Sequence, residues 1–129
     1  MDSIANMIIQ IKNAGTMKKE TVVLTHSKMK MAILECLAHA GFVAGVTKKG
    51  KKVVKYIEVK LAYEADGTPK ISQAKRISKS SKRVYMGAKD IRPVRNGYGV
   101  MIMSTPKGIL TGSDARKQSL GGEALLQVW

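Results

Sequence analysis

A chain of 129 residues, 44% of them hydrophobic, has the material for one domain or two small lobes, which excludes disorder along its whole length. Its 23 Lys and Arg against 9 Asp and Glu leave a formal charge of +14, an excess that repels itself until a polyanion supplies the counter-charge, and nucleic acid is the commonest soluble polyanion. No apolar run approaches membrane-spanning length and no secretory leader is visible, while the single Cys36 forms no internal disulfide and reads as a small buried hydrophobe in a reduced, cytosolic compartment.

Ser3 is placed to cap a first helix, with Ile4, Met7, Ile8 and Ile11 on one face and Gly15 as its stop. Lys12 and Asn13 lie off that face. The β-branched run Thr21 to Thr25 predicts a strand. Ser27 caps a second helix to about Ala40, whose stripe is Ile33, Cys36, Leu37 and Ala40, and Gly41 ends it. Phe42 to Thr47 is a strand, Lys48 to Lys52 a turn, and Val53 to Tyr63 a strand that alternates Ile57, Val59, Leu61 and Tyr63 against Glu58 and Lys60. Residues 1–65 therefore read α-β-α-β-β, with two helices on one face of a small antiparallel sheet.

Ala65-Asp66-Gly67-Thr68-Pro69 is the strongest turn signal, and the boundary between lobes is expected there. In residues 66–129, Lys70 to Ile77 and Arg83 to Met86 read as strands around the polar run Ser78 to Lys82. Asp90 to Val94 reads as a helical turn interrupted by Pro93, and Asn96-Gly97 as a turn. Tyr98 to Met103 is an apolar strand, with Tyr98 explained by packing, and it pairs with Ile109 to Thr111 across a loop at 104–108. Ser113 caps a short helix over 114–119, Gly121-Gly122 breaks it, and Glu123 to Trp129 is the last strand. The fold class is α+β, two small lobes, the second mainly β with a short helix.

Charge is uneven between the halves. Residues 1–66 hold 11 basic and 6 acidic side chains, residues 67–129 hold 12 and 3. Catalytic and ligand motifs are missing: His26 and His39 read as ordinary surface or cap residues, no Gly-x-Ser-x-Gly turn presents a nucleophile, and neither a metal-ligand spacing nor a phosphate-cradling glycine loop is present. No enzyme activity, cofactor or metal is expected.

Three stretches suit nucleic acid. The Lys48 to Lys52 cluster is either a phosphate contact or a hairpin tip kept in water. The run from Lys75 to Arg95, with Lys82 and Arg83, is broken by Tyr85, an aromatic that either stacks on a base or plugs the lobe. At 104–108, the hydroxyls of Ser104 and Thr105 suit base edges and 2′-hydroxyls, Lys107 suits a phosphate, and Gly108 permits close approach; an ordinary hairpin turn fits the same residues.

The order of Ser104-Thr105-Pro106-Lys107-Gly108, Thr111, Ala115-Arg116-Lys117 and Gly121-Gly122-Glu123 resembles the small-subunit ribosomal protein S8 family. So do Asp2, Ile4-Ala5, Met7, Ile11, Asn13-Ala14 and Glu20-Thr21-Val22 at the start, then Ser27-Lys28, Gly41-Phe42, Arg83-Val84-Tyr85 and Gly99-Val100. The resemblance implies a non-enzymatic protein of the cytoplasmic ribosome. It implies direct binding to the central domain of 16S ribosomal RNA, chiefly through the second lobe, support of small-subunit assembly beside neighbouring ribosomal proteins, and repression of its own operon through messenger RNA. By position it implies RNA contacts at Ser104, Thr105, Lys107, Gly108, Tyr85, Arg83, Lys82, Gly121, Gly122 and Glu123, with Lys12, Asn13, Lys28 and Lys30 of the first lobe on a second RNA segment. Pro106 departs from the family's Ser-Thr-Ser-Lys-Gly, removing one hydroxyl and one backbone N–H. Ser80-Ser81 likewise lacks the family's Pro-Gly before Arg83. Two other classes bind RNA with such a charge, a small RNA-modifying enzyme and a nonspecific coater. The first needs a general base or cofactor loop, which the second lobe lacks, and the second would bind bulk RNA as well as a target helix.

Overall fold

The computed structural model describes residues 3–50 and 54–129, which leaves Asp2, Lys51, Lys52 and Val53 of the sequence reading outside the described residues. The chain divides into two compact units, Ser3–Ser72 and Gln73–Trp129. The 65–69 turn, expected to separate the lobes, is held within the first unit. The Asp66 carboxylate accepts the Thr68 N–H at 3.0 Å, Gly67 takes a left-handed φ of 92°, and Tyr63 bridges to Pro69.

In the first unit, α1 (Ser3–Thr16) buries Met7, Ile8, Ile11 and Ala14 along its apolar stripe. Gly15 was expected to stop this helix and instead lies within it. A Cβ there would sit 3.2 Å from Pro69, so the glycine serves close packing. Strand β1 (Thr21–Thr25) leads to α2 (Lys28–His39), where the Ser27 hydroxyl accepts the Lys30 N–H at 3.1 Å as an N-cap. The buried stripe of α2 is Ile33, Leu34 and Leu37. It is rotated from the expected one: Cys36 stands at its margin, half-buried, and Ala40 is exposed.

Strand β2 (Val43–Gly50) runs three residues past the expected end, because Lys48, Lys49 and Gly50 pair with Ile57, Tyr56 and Lys55 of β3 (Lys55–Leu61). The order β1-β3-β2 is antiparallel throughout, and the alternation of β3 buries Ile57, Val59 and Leu61.

The second unit is a five-stranded antiparallel sheet of β4 (Ala74–Arg76), β5 (Tyr85–Met86), β6 (Val100–Thr105), β7 (Gly108–Thr111) and β8 (Gly122–Val128), in the order β4-β8-β6-β7, with β5 also on β8. Short 3-10 turns at Ala88–Asp90 and Val94–Gly97 stand where a single helical turn over 90–94 was expected. Helix α3 (Gly112–Lys117) starts earlier than expected because Thr111, not Ser113, caps it: the Thr111 hydroxyl accepts the Asp114 N–H at 3.2 Å. Ile91, Val94, Met101, Met103, Ala115 and Ala124 form the core, with Trp129 packed against it and Arg95 stacked 4.4 Å from the Trp129 ring. Tyr98, expected to pack, is 85% exposed. Gly99 is what packs there: a Cβ on it would lie 2.6 Å from the Val128 carbonyl oxygen. Strand β6 consequently starts at Val100 and runs through Ser104 and Thr105. Among the described residues no helix is long and apolar enough to cross a membrane, and no cluster of His, Cys, Asp or Glu could hold a metal ion.

Candidate nucleic-acid interface

The strand register of the second unit assembles the site. Tyr85 of β5 pairs with Glu123 of β8, Glu123 pairs with Ser104 of β6, and Ser104 pairs with Ile109 of β7. Residues directly opposed across a sheet point to the same face. Three regions distant in sequence, β5, the β6–β7 hairpin and β8, therefore place Tyr85, Glu123, Ser104 and Ile109 in one row. Met103, Ala124 and Leu110, one position along, belong to the opposite, core-packed face. Tyr85 is 70% exposed. It does not plug the lobe, and its ring is free to stack.

Beyond Ser104 the expected 104–108 loop is a tight hairpin, Thr105 pairing with Gly108 across Pro106-Lys107. Pro106 presets the backbone for the first central position of such a turn, and Gly108 closes it with a left-handed φ of 108°. The Thr105 hydroxyl donates to the Gly108 carbonyl oxygen at 2.8 Å and accepts the Lys107 N–H at 3.2 Å, and its side chain is buried. Thr105 thus commits its one donor and one of its acceptor positions to the turn. Ser104 is half-buried, and among the described residues its hydroxyl has no partner. Lys107 stands exposed at the tip.

The Gly121-Gly122 corner has an internal reason for its glycines. A Cβ on Gly122 would collide with the Ser104 carbonyl oxygen, and one on Gly121 would lie 2.7 Å from the Met86 carbonyl oxygen. These residues let β5, β8 and β6 approach closely enough to form the row.

Arg83 and Lys82 come from the turn before β5. Lys79 and Lys82 close that turn by paired backbone bonds of 2.9 and 3.0 Å, and both side chains are exposed. Arg83 Nη1 lies 3.2 Å from Glu123 Oε2. The same Glu123 oxygen accepts the hydroxyl of Ser78, a fully buried residue that also accepts the Val84 N–H at 3.2 Å. Sequence reasoning missed Ser78, since nothing in the run Ser78-Lys79-Ser80-Ser81-Lys82 marks it from its neighbours. Burial alone distinguishes it.

In the first unit, Lys12 is half-buried and Asn13 exposed on α1, where Asn13 borders a shallow surface cleft with Met17, Lys19, Thr21 and Val23. Lys28 is exposed at the start of α2. The Lys30 ammonium donates to the Thr25 hydroxyl at 2.9 Å and to its carbonyl at 3.3 Å, which ties it to β1. Lys48 and Lys49 are exposed on β2, and Lys49 pairs with Glu58 at 3.0 Å, a bond that raises the lysine pKa. Partial burial, with Lys48 and Lys55 nearby, holds the His26 pKa below its ordinary value, so this imidazole is neutral near pH 7.

The family model described as Ribosomal protein S8 matches residues 2–129. The chain is 41% identical over 128 residues to the small ribosomal subunit protein uS8 of Mycoplasmopsis agalactiae, covering 99% of this chain and 97% of that one. It is 40% identical over 131 residues to the protein of the same name from Caulobacter sp. (strain K31), with the same coverage. Against that of Helicobacter pylori it is 37% identical over 128 residues, covering 99% of this chain and 98% of the other.

Proposed function

Because the chain belongs to the ribosomal protein S8 family and is a structural component of the small ribosomal subunit, we propose that it binds 16S ribosomal RNA directly through the second unit. The observation that carries this reading is the row of Tyr85, Glu123 and Ser104, flanked by Arg83, Lys82 and the Lys107 hairpin tip. Each part has a separate chemistry. The exposed Tyr85 ring offers a stacking surface for an unpaired base. The Ser104 hydroxyl, without a partner among the described residues, both donates and accepts, which suits a base edge or a 2′-hydroxyl. Lys79, Lys82 and Lys107 neutralise phosphates on either side and set the affinity without reading sequence.

A rigid sheet row of this kind fits an irregular RNA helix with an extruded base better than a regular duplex, whose grooves offer nothing to stack on. We place the target in the central domain of 16S RNA and infer that docking there supports subunit assembly, that the protein works in the cytoplasmic ribosome beside neighbouring small-subunit proteins, and that a similar helix in its own operon messenger lets it repress translation. Lys12, Asn13, Lys28 and the first unit are assigned a secondary RNA contact. Chemical footprinting of 16S RNA with and without the protein tests the reading. Protection confined to an irregular helix of the central domain supports it; uniform protection of all helices, as from a nonspecific coater, refutes it.

A further inference from the structure

Three acidic side chains occur in the second unit, Asp90, Asp114 and Glu123. One of them, Glu123, stands in the row assigned to RNA, where a carboxylate repels phosphate and its presence needs a reason. We propose that Glu123 is a positioning residue for RNA recognition: its carboxylate fastens the cationic turn at 78–84 to the sheet and so sets Tyr85 in line with Ser104, with Arg83 at its flank. This inference rests on the reading of the row as an RNA contact.

The bonds converge on one atom. Glu123 Oε2 receives the Ser78 hydroxyl and, at 3.2 Å, Arg83 Nη1. Ser78 in turn receives the Val84 N–H at 3.2 Å, and the Val84 carbonyl receives the Ala124 N–H at 2.9 Å. One carboxylate therefore grips both ends of the turn that carries Lys79 and Lys82, and Tyr85 is the next residue. The Glu123 side chain is 18% exposed and Ser78 is fully buried, so water substitutes poorly for the carboxylate and its loss leaves a buried hydroxyl without its acceptor. Arg83 keeps half of its side-chain surface exposed while paired, so its remaining donors stay available outside the row.

Positioning and plain electrostatics predict opposite signs. Glu123→Gln removes a negative charge from a polyanion-binding face, which by Coulomb attraction alone tightens binding to every RNA. Loss of positioning weakens specific binding and leaves nonspecific binding equal or stronger. The test compares a central-domain fragment of 16S RNA with an unrelated hairpin of equal length, using the full chain and fluorescence anisotropy. We expect Glu123→Gln to bind the central-domain fragment about tenfold more weakly, the scale of one charge-assisted hydrogen bond, and the unrelated hairpin no more weakly than the parent. Ser78→Ala alters no charge and is expected to move in the same direction, and the double variant to lose no more than the weaker-binding single. Tighter or equal binding of the central-domain fragment by Glu123→Gln overturns the proposal. So does parental binding by Ser78→Ala, the outcome if Glu123 touched RNA itself. If Glu123→Gln does not fold, Ser78→Ala decides alone. A parent with no preference for the central-domain fragment overturns the reading of the site, and the role of Glu123 with it.

Discussion

The Thr105 hydroxyl donates to the carbonyl oxygen of Gly108 at 2.8 Å, so one of the two hydroxyls that the sequence offers to RNA is turned inward to close a hairpin. Ser104, its neighbour on the opposite face of β6, has no such partner among the described residues and pairs across the sheet with Glu123. Of the two hydroxyls of the same motif, one is therefore held by the hairpin, and the other is the one proposed to meet RNA.

Their substitutions are expected to separate as well. Thr105→Val keeps the shape and removes both hydrogen bonds, each contributing roughly 0.5–1.5 kcal/mol, so urea unfolding should show a loss of about 1–3 kcal/mol. Ser104→Ala should change stability by less than about 0.5 kcal/mol, as surface substitutions usually do, and weaken binding to the central-domain RNA. The denaturant midpoints of the two variants, measured beside the parent, check both halves.

Gly122 and Gly108 are both part of the motif but are needed for different reasons. Gly122→Ala forces a Cβ against the Ser104 carbonyl oxygen, and the backbone must move; overpacking of this kind costs about 1–3 kcal/mol and displaces the row. Gly108→Ala meets nothing within 4 Å and carries only the strain of its left-handed φ, about 1–2 kcal/mol. Thermal melts with RNA-binding curves should show both variants destabilised, and Gly122→Ala losing specific affinity out of proportion to its stability.

Acid weakens the first unit through two groups. The native pKa of His26 lies below its unfolded value of about 6.5, owing to partial burial and then Lys48 and Lys55. The unfolded chain therefore takes up this proton first, and stability falls as pH drops below the unfolded value and on through the native one. The Asp66 carboxyl, held below the ordinary range by the Thr68 N–H, contributes stability above its unfolded pKa that is lost as pH falls through its native pKa. His26→Gln should flatten the near-neutral part of this decline and leave the part at lower pH. Urea midpoints measured across mildly acidic pH for both proteins provide the check.

Lys79 and Lys82 stand exposed on the turn before β5, whereas Arg83 is paired. Lys79→Gln with Lys82→Gln should lower affinity for all RNAs and flatten the salt dependence, the slope falling by roughly 0.7–0.9 for each phosphate that is no longer neutralised. An unchanged slope would show these lysines to be a solvated face only.

Local chemistry made much of this fold legible. Ser27 caps its helix, β1 occupies the predicted residues, and the alternation of Ile57, Val59 and Leu61 gives the buried face of β3. What failed depended on partners distant in sequence. Gly15 read as a helix stop because its neighbour in space, Pro69, lies over fifty residues away. Tyr98 read as a core residue because nothing local reveals that Gly99 takes the packed position. Residues 104–108 read as a loop because hydroxyls, proline and glycine are turn formers, although strand pairing reaches Thr105. Tyr85, Ser104 and Glu123 could be named as candidates from the motif, but their alignment in one row could not, since it exists only in the register of β5, β8 and β6.

Tyr85→Ala tests the central claim most directly, because the ring is 70% exposed and its removal leaves the core intact. Binding of the parent and the variant to the central-domain fragment of 16S RNA is compared with binding to an unrelated hairpin of equal length. If the row is the recognition surface, the variant melts like the parent, binds the unrelated hairpin equally, and loses about 1–3 kcal/mol of specific binding, the worth of one stacked base. Parental affinity for the central-domain fragment in a folded Tyr85→Ala protein would contradict the account.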